Sequence, residues 1–274
     1  MAGEIVFIGG GNMGRALLGG LMADGTPAEH LAAAEPDAGR REALANEFGM
    51  LTAPHGGDLV GGASVVVLAV KPQVLKSVSQ ALAVHFGAAR PLIVSIVAGV
   101  TEADIDTWLG GDFPVVRCMP NTPALVRQGI SALHANARAS AAQREQAEHI
   151  LRAVGAVLWV PDEAQLDAVT AVSGSGPAYF FAVMEAMEQA GVALGLAPEV
   201  ARKLTLQTAL GSAVLATQSS DAPATLRAQV TSPGGTTQAA LEVLQAGGLA
   251  ALFHEAIGAA NRRAGELALQ AAQG

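Results

Sequence analysis

A glycine-rich turn near the amino terminus has the first residue spacing that could do chemistry. Residues 4–9 (EIVFIG) are apolar without alternation, as in a strand buried on both faces, and a helical pattern follows the turn GGGNMG. The order strand, G-x-G-x-x-G, helix is typical of dinucleotide binding, with the pyrophosphate at the helix N-terminus. The alternative is a purely structural turn. The cofactor-binding residues predicted here are Gly9, Gly11, Asn12, Met13 and Gly14.

Further strand-like runs support the dinucleotide interpretation. They occur at residues 31–35, 64–70, 91–97 and 114–119, separated by helical patterns. This alternation is typical of a doubly wound parallel sheet, whose ligands bind at the carboxyl ends of the strands. The sequence therefore predicts an α/β Rossmann-type domain over residues 1–163.

The sequence is ambiguous about which nicotinamide cofactor would bind. Glu35 follows Gly14 by about 20 residues, where a carboxylate usually binds the ribose 2′-OH of NAD. Arg40 and Arg41 follow closely, and an arginine could bind the 2′-phosphate of NADP instead. The alternative for both arginines is a solvated helix face.

Three turns follow predicted strands at their carboxyl ends and are candidates for the rest of the cofactor site. In the turn CMPNTP, the amide of Asn121 lies between two prolines and could hold the nicotinamide carboxamide or its ribose, although an ordinary proline turn is the alternative. Lys71 could attract phosphate or simply end a strand. Cys118 is interpreted as core filler rather than a nucleophile. The predicted cofactor contacts in these turns are Ala69, Val70, Lys71, Pro72, Ala98 and Asn121.

The second half of the chain, residues 164–274, has helical patterns and is predicted to be an all-α domain. In VSGSGPAYFF, Pro177 suits the first turn of a helix behind Ser175 or Gly176. Apolar stripes such as the one starting at Leu249 indicate a core or a subunit interface rather than a cofactor site.

The segment VTSPGGTTQAAL interrupts these helices with a polar turn. Gly234 and Gly235 precede a helical pattern, so free backbone N–H groups could bind a carboxylate there. The hydroxyls of Ser232, Thr236 and Thr237 could donate to a carboxylate or a ring nitrogen, or could simply cap the helix.

Composition excludes several function classes. The formal net charge is −8 and no run of Lys or Arg occurs, which argues against nucleic-acid binding. The six histidines show no zinc-ligand spacing, so no metal site is predicted. The longest apolar run, residues 64–70, is far shorter than the roughly 20 residues of a membrane helix. With one cysteine and no basic leader, a cytoplasmic location is expected.

The motifs GGGNMG, AVKP, RCMPNTP, VSGSGPAYFF and VTSPGGTTQAAL occur in this order, and the whole chain resembles the bacterial pyrroline-5-carboxylate reductases. The resemblance implies reduction of the cyclic imine 1-pyrroline-5-carboxylate to L-proline, the last step of proline biosynthesis, with NADPH or NADH. By analogy, Thr237 is the catalytic residue and hydrogen-bonds the imine nitrogen. The residues implied to bind the substrate are Ser232, Gly234, Gly235, Thr236 and Ser175.

The resemblance also implies a homodimer formed through an all-α C-terminal dimerisation domain, and assembly of such dimers up to a decamer. The chain departs from the family at Gly56, where many relatives have an Asn that contacts the cofactor ribose; His55 or Asp58 could substitute for it. Glu35 also leaves the use of NADH open. Two alternative functions are a β-hydroxyacid-type dehydrogenase and a non-catalytic nicotinamide-binding protein. The dehydrogenase would need a lysine near the substrate on the helical domain, where Lys203 is the only candidate.

Overall fold

The structure is a computed structural model that describes residues 3–273, except for the side chains of residues 271–273. The chain forms two compact units. The first contains the residues up to Ser175 and those from Ala260 onward, and the second is Gly176–Ala259. The sequence-based division into residues 1–163 and 164–274 remains a prediction.

The first unit is built on one sheet. The described residues form eight strands in the order β3-β2-β1-β4-β5-β6-β7-β8, and every neighbouring pair is parallel except β6 and β7. The strands are β1 (Ile5–Ile8), β2 (Leu31–Ala34), β3 (Leu51–Ala53), β4 (Val65–Leu68), β5 (Leu92–Ser95), β6 (Val115–Met119), β7 (Gly129–Ala135) and β8 (Gly155–Trp159). The predicted Rossmann-type α/β fold is confirmed.

Helices connect the strands and make up the second unit. Those of the first unit are α1 (Asn12–Ala23), α2 (Ala38–Phe48), α3 (Pro72–Ala83), α4 (Glu102–Trp108), α5 (Ala141–Arg152) and α6 (Gln165–Val169), with a π-turn at Thr170–Gly174. The others are α7 (Gly176–Ala193), α8 (Pro198–Gln218), α9 (Pro223–Gln229), α10 (Thr236–Ala246) and α11 (Leu249–Gln273), of which α11 runs from the second unit into residues of the first. Short 3-10 turns occur at Ala28–His30, Gly56–Asp58, Val60–Gly62 and Thr122–Val126.

Burial on both faces of the sheet explains why the central strands have uniformly apolar sequences. In β1, Phe7 packs into the core on one face of the sheet, while Val6 and Ile8 pack into the core on the other. All three side chains are buried. Because successive side chains of a strand point to opposite faces, a strand covered on both sides must be apolar throughout.

The start of α7 agrees with the sequence only in part. The helix begins at Gly176 with Pro177 in its first turn, as predicted. The residues before it are already helical, since α6 continues directly into the π-turn. Ser175 therefore lies within a continuous helical path rather than in a loop.

Within residues 3–273 no single helix is long and apolar enough to cross a membrane; α10 and most of α11 meet that test only together, as a pair bent by 51°.

Candidate active site

The glycine turn after β1 lies against the end of β4. Gly9 has φ +106°, and a Cβ on it would come within 2.6 Å of the carbonyl oxygen of Ala69. A Cβ on Gly14 would come within 2.6 Å of the carbonyl oxygen of Gly9. Neither position accepts a side chain, so both glycines are required by close backbone packing.

The same turn leaves the start of α1 open. A Cβ on Gly11, the N-cap residue, would meet nothing within 4 Å. Within residues 3–273 the amides of Asn12, Met13 and Gly14 have no hydrogen-bond partner, and no side chain caps the helix. Free amides and the positive end of a helix dipole fit a pyrophosphate, so this turn suits the dinucleotide predicted from the sequence.

Glu35, at the end of β2, is buried and already bonded to the protein. Its Oε2 accepts from the amide of Gly10 at 3.0 Å, and its Oε1 accepts from the amide of Asp37 and from Arg40, both at 3.0 Å. The Arg41 guanidinium donates to the backbone oxygen of Glu35 at 2.8 Å. The carboxylate thus joins the glycine turn to Arg40, whose side chain is 62% exposed.

A cleft of about 720 Å³ lies beside Glu35. Gly56 contributes to its wall, and a Cβ there would come within 2.7 Å of Leu82 Cδ2 and 2.8 Å of Ile8 Cδ1. The asparagine that the family resemblance implies at this position would require the side chains of Leu82 and Ile8 to shift. His55 and Asp58 both line the cleft and stay candidates for the ribose contact.

The turns after β4 and β5 lie at another cleft of about 370 Å³ within the first unit. Pro72, the first residue of α3, and Ala98, which follows β5, both line it. Lys71 is the N-cap residue of α3 and is exposed. Ala69 donates its amide to Ile8 at 2.9 Å and so stays next to the glycine turn. The structure therefore brings the predicted residues of β1, β4 and β5 to the carboxyl edge of the sheet.

Asn121 lies just after β6 and is buried. Its Oδ1 accepts from the amide of Ile130 at 2.9 Å, and its Nδ2 donates to the carbonyl oxygen of Ser173 at 3.2 Å. The sequence predicted a contact with the cofactor and did not anticipate these internal bonds. The nearby thiol of Cys118 is buried in the core, and burial raises its pKa, in keeping with its interpretation as core filler.

The polar turn before α10 belongs to the second unit. Gly234 has φ +71° and donates its amide to Gln238 Oε1 at 2.7 Å, while Gly235 donates its amide to the carbonyl oxygen of Ser232 at 3.0 Å. The amides of Gly234 and Gly235 are thus engaged, contrary to the expectation that both are free. Within residues 3–273 no side chain caps α10, and no hydrogen bond involves the amides of Thr236 and Thr237 or the hydroxyls of Ser232, Thr236 and Thr237. These hydroxyls therefore do not cap α10, which was the alternative role that the sequence left open.

Sequence reasoning missed a partly buried charged cluster that joins β6, β7, α4 and the segment before α6. Arg117 donates to Glu163 Oε1 at 2.7 Å, and the same oxygen accepts from the amide of Glu102, also at 2.7 Å. His134 Nδ1 is 2.8 Å from Glu102 Oε1. Burial raises the pKa of the Glu102 carboxyl, and the hydrogen bond with His134 opposes that shift. The residues are far apart in the sequence; the antiparallel pairing brings Arg117 next to His134, and Glu102 and Glu163 reach them from α4 and from the segment after β8.

No cluster of three or more His, Cys, Asp or Glu side chains suited to a metal ion occurs in the part of the chain that the structure describes.

A mostly parallel sheet with an open helix N-terminus, followed by a helical unit, is the arrangement of a Rossmann-type dinucleotide-binding protein with a helical C-terminal domain. Residues 163–267 match the family described as pyrroline-5-carboxylate reductase dimerisation, and residues 4–99 match that described as NADP oxidoreductase, coenzyme F420-dependent. A pyrroline-5-carboxylate reductase of Pseudomonas aeruginosa is 56% identical over 272 residues, 98% of each chain. The chain belongs to the pyrroline-5-carboxylate reductase family.

Solved structures agree with this membership. The pyrroline-5-carboxylate reductase of Coxiella burnetii is 42% identical and superposes with a TM-score of 0.93, covering 97% of this chain and 99% of the other. The Plasmodium falciparum pyrroline carboxylate reductase, solved with NADP bound, is 27% identical with a TM-score of 0.85 and covers 97% and 98%. The family and the fold class predicted from the sequence motifs are confirmed.

Many apolar side chains of the second unit are exposed in the single chain. On α7, Phe180 is 67% exposed, and on α8, Leu210 is 58% exposed. An apolar surface of this kind marks a contact with another protein. Together with the match to a dimerisation family, it identifies the protein as a homo-oligomer.

Proposed function

We propose that this protein reduces 1-pyrroline-5-carboxylate to L-proline with NADPH or NADH, the final step of proline biosynthesis. The observation that carries the proposal is the 56% identity to a pyrroline-5-carboxylate reductase over 98% of both chains. It favours imine reduction over the hydroxyacid dehydrogenase and the non-catalytic protein. The same proposal places the enzyme in the cytoplasm, in keeping with a lone, buried cysteine that forms no disulfide.

The first unit supplies the cofactor site. The open amides at the start of α1 bind the pyrophosphate, and the cleft beside Gly56 receives the adenosine. The turns with Ala69, Val70, Lys71, Pro72 and Ala98 line the path to the nicotinamide. The bound nicotinamide supplies the hydride, while the protein orients the reactants and excludes water.

The second unit supplies the substrate contacts. The amides of Thr236 and Thr237 at the start of α10, with the hydroxyl of Ser232, bind the carboxylate; Gly234 and Gly235 shape the turn. The Thr237 hydroxyl hydrogen-bonds the imine nitrogen. Ser175, the last residue of the first unit before the second unit begins, is a further substrate contact in the proposal. Because the product nitrogen needs only a proton and the imine carries positive charge when protonated, orientation and electrostatics suffice for catalysis.

NADPH is the preferred cofactor in this proposal. The carboxylate of Glu35 already accepts three hydrogen bonds from the protein, whereas the guanidinium of Arg40 is held at the exposed side of the site. Arg40 can therefore pair with the 2′-phosphate of NADPH. The ribose 2′-hydroxyl of NADH carries no charge, so its interaction with Arg40 is weaker.

The assembly that we propose is a homodimer formed through the helices of the second unit, with such dimers associating up to a decamer. The exposed apolar residues of α7 and α8 support burial against a second copy. Multi-angle light scattering distinguishes a dimer from a decamer, and a monomeric mass at micromolar concentration would refute both.

Turnover is tested by the oxidation of NADPH with pyrroline-5-carboxylate, in wild type and in Thr237→Val. The variant has nearly the same shape but no hydroxyl, so kcat/KM for the imine should fall roughly ten- to a hundredfold, the worth of a hydrogen bond to a charged group. NADPH binding, followed by its fluorescence, should be unchanged.

Thr231→Val is the matched control. The Thr231 hydroxyl donates to the backbone oxygen of Arg227 at 2.6 Å and caps α9. This variant should lose stability and keep its kcat/KM. Unchanged turnover in Thr237→Val would refute the assigned role, and an inactive wild type with both cofactors would refute the function.

A further inference from the structure

The π-turn at Thr170–Gly174 interrupts a helical path immediately before Ser175. The amide of Ser175 donates to the carbonyl oxygen of Thr170 at 2.8 Å, five residues back instead of four. Pro177 has no N–H to donate to the carbonyl of Ser173, four residues before it. The irregular turn therefore needs other partners to hold its shape, and such turns are frequent at functional sites.

The end of β6 supplies these partners. Asn121 Nδ2 donates to the carbonyl oxygen of Ser173 at 3.2 Å, and Asn121 Oδ1 accepts from the amide of Ile130 in β7 at 2.9 Å. Next to it, Met119 packs so closely on Gly174 that a Cβ there would come within 2.7 Å of Met119 Cε. The carboxyl edge of the sheet and the π-turn are thus joined by one hydrogen bond and one close apolar contact.

We propose that Asn121 is a positioning residue, which holds the π-turn so that Ser175 meets the substrate in the correct place. The inference rests on the proposed function, in which Ser175 contacts the imino acid. One N–H of Asn121 and its oxygen are engaged within the protein, and through its bond to Ser173 the amide acts on the position of the turn. Ser175 is only partly buried, and its hydroxyl has no hydrogen-bond partner within residues 3–273. Whether the Ser175 hydroxyl can bind the substrate therefore depends on where the turn places it.

The test variant is Asn121→Asp. It keeps an oxygen that accepts from Ile130 and replaces the donor to Ser173 by a second oxygen, which repels the carbonyl. Because small displacements in a site cost up to about a hundredfold in rate, we expect kcat to fall and KM for the imine to rise, by roughly tenfold or more in kcat/KM. The dissociation constant of NADPH should stay within about twofold, and amide hydrogen exchange should increase in residues 170–176.

Asn136→Asp is the matched control. The Asn136 amide makes the same kind of contacts at the other end of the β6–β7 pair, accepting from Val115 at 3.2 Å and donating to the carbonyl oxygen of Phe113 at 3.0 Å. Its loss should lower thermal stability and leave the kinetic constants and the exchange of residues 170–176 unchanged.

Three results would overturn the inference. Weaker NADPH binding with unchanged kinetics at saturating NADPH would make Asn121 a cofactor ligand. Equal kinetic constants in Asn121→Asp and Asn136→Asp would leave it a purely structural residue. An inactive wild type would refute the proposed function. Hydrogen exchange would then test the inference by itself: unchanged exchange of residues 170–176 in Asn121→Asp would refute the contact between Asn121 and the π-turn.

Discussion

Arg40→Ala tests how the cofactor is selected. The Arg40 guanidinium donates to Glu35 Oε1 at 3.0 Å, and its side chain is 62% exposed. A hydrogen bond to a charged group is worth about 1.5–3 kcal/mol, and solvent screening at so exposed a side chain reduces this to about 1–2 kcal/mol. Since 1.4 kcal/mol is a factor of ten, the dissociation constant of NADPH should rise roughly five- to thirtyfold. That of NADH, which has a hydroxyl in place of the phosphate, should change less than about twofold.

Fluorescence titration of both cofactors gives the two dissociation constants without turnover. Arg152→Ala serves as the control, because Arg152 is also exposed and paired with a glutamate, Glu148, within α5. Glu35→Gln completes the set. Equal losses of NADH and NADPH in Arg40→Ala would refute selection by Arg40. A loss of NADH binding confined to Glu35→Gln would show instead that Glu35 binds the ribose.

Three further predictions concern stability. Gly56→Asn should lower the free energy of unfolding by about 1–3 kcal/mol through overpacking, because its Cβ would come within 2.7 Å of Leu82 Cδ2. Gly61→Ala, whose Cβ would meet nothing within 4 Å, should be nearly neutral when both variants are measured in thermal scans. Burial raises the pKa of Glu102 above its ordinary value of 4.5, so the stability that this group contributes is present at low pH and is lost as the pH rises through the folded-state pKa. Glu102→Gln keeps a hydrogen-bonding group for His134 without the charge and should therefore gain melting temperature relative to wild type as the pH rises; a constant or shrinking difference would contradict the assignment. The midpoint of unfolding should also increase with protein concentration, because association stabilises the folded chain, and a midpoint independent of concentration would contradict an obligate oligomer.

The strands that could be predicted are those with both faces buried. Runs such as residues 64–70 have a continuous apolar sequence, and β4 (Val65–Leu68) lies inside that run. β3 is only three residues long, and β7 (GISALHA) contains a serine and a histidine, so neither has the apolar run by which β1, β2, β4, β5 and β6 were recognised. The antiparallel pairing of β6 with β7 was missed for the same reason. β8 (GAVLW) was not predicted either, and none of its residues is fully buried.

At the site, residue types could be predicted but their partners could not. The position of Glu35 follows from its spacing to the glycines, yet its bonds to Gly10 and Arg40 depend on how the turns fold onto each other. The amide of Asn121 likewise pairs with Ser173, 52 residues away. Spacing in a sequence identifies what a residue can donate or accept, while the engaged partner is set by tertiary packing.

The second unit shows why apolar periodicity alone could not decide whether its apolar stripes lie in a core or in a subunit interface. The pattern requires that an apolar face be buried, but it is the same whether the cover comes from this chain or from another. In the single chain, Phe180 on α7 and Leu252 on α11 stay 67% and 60% exposed, so this chain does not supply the cover. Since burial of apolar surface is the main favourable contribution to folding, covering these faces with further protein stabilises the helices. The same unit carries the polar turn with Thr237, so the geometry of the proposed substrate site depends on assembly as well as on the fold of one chain.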